Sequence, residues 1–389
     1  MRGKRARAES LLNEGANIEH EGGQWGRTPI MAASEKGHLI VVKMLHGRGA
    51  NVHVQDNRGT NALMWAAMKG HADVATFLVN ECGADVNAVN NEGWSALHCA
   101  AQGGFLEIVK MLQTHGADIH AFTNHGANAL MLAAMNGHAD VATFLVTECG
   151  ADVKAADNHG HTALLCAAQG GFLEIVKMLQ THGADIHALT NLRANALVLA
   201  AGKGYLDLVT WLAGQGVDVM TQDNDRANAL MIAAYNDRPD VCLFLISLGL
   251  DPALEDNDGE SALTHYAQWL DEDNPNRLED EERPPLSDEE KQARVKLLTE
   301  ARAEYLELQQ REERYQRRKG AMTFLQGCGF LLTAVQREAR KAEEAQVDTH
   351  AKLAAIDRST KEANLKYLTD RVFGEDKGRH LGREIAMLL

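Results

Sequence analysis

The sequence predicts an all-α fold. It is a solenoid of about eight helix–turn–helix repeats joined by hairpin turns, followed by an acidic linker and a helical C-terminal region. Three observations predict it. Leucine or isoleucine recurs at 30, 63, 97, 130, 164, 197, 230 and 263, every 33 or 34 residues. Two positions before each stands a helix-capping residue: Thr28, Asn61, Ser95, Asn128, Thr162, Asn195, Asn228 or Ser261. Glycine closes the units at Gly49, Gly83, Gly116, Gly150, Gly183, Gly216 and Gly249. Self-similarity at a fixed period marks a repeat array, whose stacked units share one core and which grows without splitting into domains.

The 389-residue chain opens on a basic stretch, MRGKRARAES. Residues 1–22 read as a partial unit whose SLLNEGANI is a second helix, with Leu11, Leu12 and Ile18 on its apolar face. Arg2, Lys4, Arg5 and Arg7 supply a polar outer face for a terminal repeat, and a start further upstream accounts for the partial unit equally well. The array proper spans 23–270. Each unit begins with a short helix whose N-cap oxygen accepts from an otherwise unpaired backbone N–H. Runs such as Cys99-Ala100-Ala101 and Leu132-Ala133-Ala134 then keep side chains small, so that helices of adjacent units approach closely. The second helix carries one apolar stripe, as in Val41, Val42 and Leu45, or Ile108, Val109 and Leu112. The closing glycine takes the left-handed conformation past the helix end. An extended piece, ADVNA or ADIHA, leads into a turn of Asn, Asp and Gly.

These units resemble ankyrin repeats. The resemblance is carried by GRTPIMAASEKGHLIVVKMLHGRGANV in the first full unit and GWSALHCAAQGGFLEIVKMLQTHGADI in the third. The family's Thr-Pro-Leu-His survives only as Thr28-Pro29; elsewhere it becomes Asn-Ala-Leu-Met or Ser-Ala-Leu-His. Asparagine still caps and alanine is the best helix former, so the departure leaves the fold intact. A longer repeat is superimposed: residues 99–121 recur unchanged at 166–188, and 70–79 at 137–146. Identity at exposed as well as buried positions reads as a duplication of two units.

The resemblance implies a concave groove lined by the turn tips and by the exposed ends of the first helices. Carried over by position, the helix ends are Met68-Lys69, Gln102-Gly103, Met135-Asn136, Gln169-Gly170, Gly202-Lys203, Tyr235-Asn236 and Gln268-Trp269. The tips are Trp25, Arg27, Arg58, Trp94, His125, His159, Asp225 and Glu260. Large apolar side chains dominate binding hot spots, so the few aromatics here, Trp25, Trp94 and Trp269 above all, are the expected anchors. Gly103 and Gly170 are expected to leave room for a partner's side chain. The function implied is a non-enzymatic scaffold or adaptor, cytoplasmic, which binds a protein partner and needs no cofactor or metal.

Composition changes after the array. Residues 271–290 hold ten acids against two arginines and read as a solvated acidic linker. The formal charge of −15 divides into −12 over 1–270, −8 over 271–290 and +5 over 291–389. The tail reads as helical. Ser287 with Glu290, and Ser359 with Glu362, have capping-box spacing. Val295, Leu298, Tyr305 and Leu308 form an interrupted apolar stripe, and RHLGREIAMLL closes the chain as a short amphipathic helix. Residues 320–336, uncharged between basic flanks, read first as a buried helix of this region. A membrane-interface tether and a partner helix are alternatives. An enzymatic domain in 291–389 is a further alternative, although no nucleophile–base pair or metal constellation marks it.

Other classes are excluded by what the sequence lacks. An acidic chain is not the basic-faced protein that nucleic acid requires. No 20-residue apolar run provides a standard membrane span. The six cysteines are scattered without a Cys-x-x-Cys pair, which suits reduced thiols. Most of the 17 histidines follow the repeat: His115 and His182 are copies two units apart, about 20 Å, too far to share one zinc. His125, His159 and His161 make the better trio, yet read as exposed turn residues. Cys99 and Cys166 occupy small buried positions rather than catalytic ones.

Overall fold

A computed structural model describes residues 2–268 and, beyond them, helical positions 292, 296, 299, 300, 302, 303, 306, 307, 310 and 314. The side chains of residues 2–5, 8 and 266–268 are not among those described. The predicted linker 271–290, the segment 320–336, both capping boxes, Trp269 and the closing helix all lie outside the described residues.

Helix α1 (Arg2–Asn13) stands alone at the start. Seven helix pairs follow. They are α2 (Pro29–Glu35) with α3 (Leu39–Gly47), α4 (Ala62–Met68) with α5 (Ala72–Asn80), and α6 (Ala96–Gln102) with α7 (Leu106–Thr114). Next come α8 (Ala129–Met135) with α9 (Ala139–Thr147), and α10 (Ala163–Gly170) with α11 (Leu173–Thr181). The last are α12 (Ala196–Lys203) with α13 (Leu206–Gly214), and α14 (Ala229–Tyr235) with α15 (Pro239–Ser247). Helix α16 (Ala262–Gln268) opens the eighth unit. First helices stack on first helices, α2 through α16 in order; second helices pack likewise from α3 to α11 and α13 on α15, with α1 packed on α3. This is the predicted solenoid. The turns close as isolated antiparallel bridges, such as Gly22 to Arg27 and Gln222 to Asn228, rather than as strands.

One core runs the length of the array. Ile30, Leu63, Leu97, Leu130, Leu164, Leu197 and Leu230 are each at most 1% exposed, and each contributes about 1.5–3 kcal/mol by leaving water. The alanine pairs behind them, such as Ala66 with Ala67 and Ala133 with Ala134, are fully buried. The absence of bulk there is what lets the first helices stack. Each closing glycine has positive φ, as in Gly49 at 93° and Gly150 at 67°.

Capping follows the prediction with one exception. Asn61, Ser95, Asn128, Thr162, Asn195, Asn228 and Ser261 each accept from the backbone N–H three residues on. Thr28 does not: its hydroxyl is buried with no hydrogen-bond partner, and its helix begins on Pro29. At the amino end Leu12 and Ile18 join the core as expected, but Leu11 is 48% exposed. Neighbours along a helix point about 100° apart, and here only Leu12 of the two turns toward the core.

The chain divides into two compact units, Met1–Gln309 and Gln310–Leu389. Within the first, Arg302 Nε donates to Asp251 Oδ1 at 3.0 Å, joining a helical position beyond the array to the loop after α15. No helix among the described residues is long and apolar enough to cross a membrane.

Candidate binding surface

The turns hold the candidate site in place. Asn57, Asn91, Asn124, Asn158, Asn191, Asn224 and Asn257 occupy equivalent turn positions. From the second onward, each donates its Nδ2 to the backbone carbonyl of the asparagine before it, at 2.9–3.3 Å. Their backbone N–H groups donate to the carbonyls of the preceding tips, including Trp25, Arg58, His125, His159 and Asp225. Inside five of the turns the side chain of Asp56, Asn90, Asp157, Asp223 or Asp256 accepts two more: Asp56 Oδ1 takes the N–H of Arg58 and of Thr60, each at 2.9 Å. The tips thus form a hydrogen-bonded ladder along the array. The backbone is fixed and the side chains project from it. A Cβ on Gly59, which has φ +77°, would lie 2.6 Å from Asn91 Oδ1, so glycine is needed where the next rung arrives.

The structure sorts the predicted residues. Trp25 is half-buried beneath Arg58, whose guanidinium lies 3.6 Å from the ring centroid, a cation–π stack. Arg27 is engaged within the array: it pairs with Glu35 at 2.9 Å and lies over Trp65. Trp94 is half-buried and meets the His98 ring edge-on. His125, His159 and Asp225 are exposed at their tips, whereas Glu260 is half-buried. On the helix ends Met135 and Tyr235 are each 42% exposed, and Lys69, Gln102 and Lys203 are exposed. Met68 and Gln169 are half-buried, Met68 against the core. Asn136 and Asn236 are occupied, donating Nδ2 to the carbonyls of Leu132 and Ile232 at 2.8 Å.

The expectation that Gly103 and Gly170 leave room for a partner is overturned. A Cβ on Gly103 would overlap the Phe105 ring, and one on Gly170 the Phe172 ring. The space is taken by the chain's own aromatics. Each ring also covers a glycine of the preceding unit, Phe105 over Gly70 and Phe172 over Gly137. His71, His138, Tyr205 and Arg238 fill the same slot over Gly37, Gly104, Gly171 and Gly204. His71 and His138 each also place Nε2 at 2.9–3.0 Å from a carbonyl of the preceding unit.

Sequence reasoning missed a column of side chains just before the turns. Val89, Phe122 and Leu189 are 49%, 50% and 45% exposed, and the tip residue Leu192 is 67% exposed. With Ala156, also exposed, they make an apolar line across the middle units. The available signal was hydrophobic residues recurring at a fixed offset before the turn asparagine.

Buried titratable groups have structural roles. His98 is fully buried: Nδ1 accepts from the Ser95 backbone N–H at 3.1 Å, and Nε2 stands 3.1 Å from the Ala121 carbonyl. Burial holds this imidazole below its usual range, against the pull of the Ala121 hydrogen bond. Burial raises the thiols of Cys99 and Cys166 to about 12, so both are protonated at neutral pH and poor nucleophiles. His161 Nδ1 lies 3.4 Å from Asp157 Oδ1, and its ring meets His159 edge-on. Among the described residues no three His, Cys, Asp or Glu side chains are grouped to hold a metal ion.

Known proteins share this architecture. The family described as "Ankyrin repeats (3 copies)" matches residues 1–90, 33–123, 82–157, 120–190 and 197–275. Human ankyrin repeat domain-containing protein 63 is 37% identical over 68 residues, 18% of this chain and 18% of that protein. Human ankyrin repeat and SOCS box protein 11 is 36% identical over 70 residues, 18% of this chain and 21% of that protein. Glycerophosphocholine phosphodiesterase GDE1 of Candida albicans is 36% identical over 70 residues, 18% of this chain and 6% of that protein. The chain therefore spans about a fifth or less of the length of these relatives.

Proposed function

The chain belongs to the ankyrin-repeat family, and from that premise we propose that it is a non-enzymatic intracellular scaffold that binds a protein partner along its turn-and-first-helix groove. Ankyrin repeats are generally protein–protein interaction modules. The observation that carries the reading is the exposed apolar line Val89, Phe122, Leu189 and Leu192, together with the exposed Met135 and Tyr235 at first-helix ends. It is mounted on a backbone ladder that leaves little to be ordered on binding. Preorganised apolar anchors of this kind carry most of the free energy of protein recognition. Arg58 stacked on Trp25 extends the surface toward the amino end with a cationic face. Of the other predicted positions, the exposed Lys69, Gln102, His125, His159, Lys203 and Asp225 belong to the rim in this reading. An intracellular setting suits cysteines that are free among the described residues.

Quantitative affinity capture with the full chain tests the assignment. Phe122→Glu with Leu192→Glu should lose proteins that the parent captures, while Ile40→Glu, on an outer helix, keeps them. Loss in all variants alike, or in none, refutes the groove as the binding face, provided circular dichroism reports unchanged helix.

A further inference from the structure

We propose that the sixth and seventh turns form a two-arginine clamp for the carboxylates of an acidic partner segment, placed where the apolar line ends. This deepens the groove reading and rests on it. At the turn position where six units have glycine, Gly26, Gly59, Gly93, Gly126, Gly160 and Gly259, two successive units have Arg193 and Arg226. Their φ angles are +66° and +64°, and among the described residues the only other non-glycine with positive φ is Asp237. This conformation disfavours an L side chain, so arginine is there at the expense of stability. Strain of this kind persists where the side chain itself has a use.

The two turns are held side by side. Asn224 donates Nδ2 to the Asn191 carbonyl at 3.3 Å and its backbone N–H to the Leu192 carbonyl at 3.2 Å. Both arginines are exposed, and neither guanidinium has a hydrogen bond or ion pair among the described residues. Arg27, by contrast, is tied to Glu35. Leu192, the most exposed large apolar side chain among the described residues, immediately precedes Arg193. A partner segment whose apolar side chains lie along Val89, Phe122 and Leu189 therefore meets Leu192 and then two free guanidinium forks. Guanidinium binds carboxylate through paired, charge-assisted hydrogen bonds. The partner class is an apolar stretch that runs into aspartate or glutamate, in that order toward the sixth and seventh units.

The test is selection of a displayed library of random 16-residue peptides on the full chain and on Arg193→Gly/Arg226→Gly. The parent should enrich peptides with apolar residues flanked on one side by Asp or Glu. These should bind the double variant about tenfold or more weakly, the loss of roughly one charge-assisted hydrogen bond. The double variant should also melt higher than the parent, because glycine relieves both left-handed turns. Apolar peptides without an acidic bias, or an acidic bias unchanged in the double variant, overturn the clamp while leaving the groove reading standing. A lower melting temperature in the double variant also overturns it, since the arginines would then be structural. Failure to enrich any peptide, or enrichment insensitive to Phe122→Glu/Leu192→Glu, refutes the groove and the clamp together.

Discussion

Thr28 and Thr162 occupy the same place in different units but make different bonds. Replacing each by valine, which has nearly the same shape, isolates the hydroxyl. Thr162 Oγ1 accepts from Leu165 N–H at 3.4 Å. Losing an N-cap of this type costs about 1 kcal/mol, within a range of roughly 0.5–2. Thr28 Oγ1 is buried without a partner, and Thr28 as a whole is 1% exposed. An unpaired buried polar group costs about 1–3 kcal/mol, so Thr28→Val should be neutral or stabilising. The two variants should then differ by about 2 kcal/mol, with Thr162→Val the weaker. For a domain of this size that separates melting temperatures by roughly 4–8 °C. Amide exchange supplies the local readout: the Leu165 amide should lose protection in Thr162→Val, while the Met31 amide should not change in Thr28→Val. Equal destabilisation of the two variants, with Met31 deprotected, refutes the reasoning by showing that Thr28 does cap its helix.

Three further outcomes are expected. Gly103→Ala should destabilise although alanine is the better helix former, because its Cβ overlaps Phe105; Gly214→Ala, in open space at the end of α13, should stabilise by about 0.5–1 kcal/mol. Paired urea denaturations check the opposite signs. Asn124→Ala removes the 2.9 Å rung to the Asn91 carbonyl and should cost about 1 kcal/mol, seen as a lower urea midpoint with unchanged slope. Burial keeps the folded imidazole of His98 below its ordinary value, so the unfolded chain takes up the proton first. Stability from this group is full above about pH 6.5. It falls as pH drops from there through the lower folded value. His98→Met, the residue at the equivalent position in four other units (Met31, Met64, Met131 and Met231), should flatten the decline in melting temperature between pH 7.5 and 5.5. His265, also held low by burial, leaves a residual slope of the same sign.

The parts of the fold legible in the sequence are those decided within a few residues. A cap and the N–H it accepts are three residues apart, and a closing glycine needs only its own φ. Those assignments hold at Asn61, Asn128 and Asn195, and at Gly49 and Gly150. The misses come from contacts made after the chain turns back on itself or one repeat away. Gly103 reads as vacant space because its occupant, Phe105, lies across a turn that must bend back before the ring covers it and Gly70. The turn asparagines read as local turn formers, yet their side chains reach 33 or 34 residues back. Leu11 and Thr28 are further cases, because neither exposure nor a missing cap bond is written in the residue type.

Exposure is likewise a property of the stack. Trp25 and Trp94, expected anchors, and the predicted tip residue Arg27 are each partly occupied by a neighbour: His98 meets Trp94, Arg58 covers Trp25 and Glu35 pairs with Arg27. Val89, Phe122, Leu189 and Leu192 draw no attention as single aliphatic or aromatic residues in loops, but they stay open because the ladder beneath consumes the polar groups of each turn and leaves the side chains outside it. Saturating the backbone has a second consequence. The asparagine rungs already engage one backbone carbonyl in each turn they reach, so recognition at these tips falls mainly on side chains. That concentrates discrimination on what varies from unit to unit: an apolar line through the middle, a cation on an indole at one end, and two unpaired arginines at the other. The duplicated block shows why variation and not the repeat carries the information. Phe122 and Leu189 differ at equivalent places just past identical 23-residue stretches, so neighbouring copies of one fold present different surfaces to whatever lies across them.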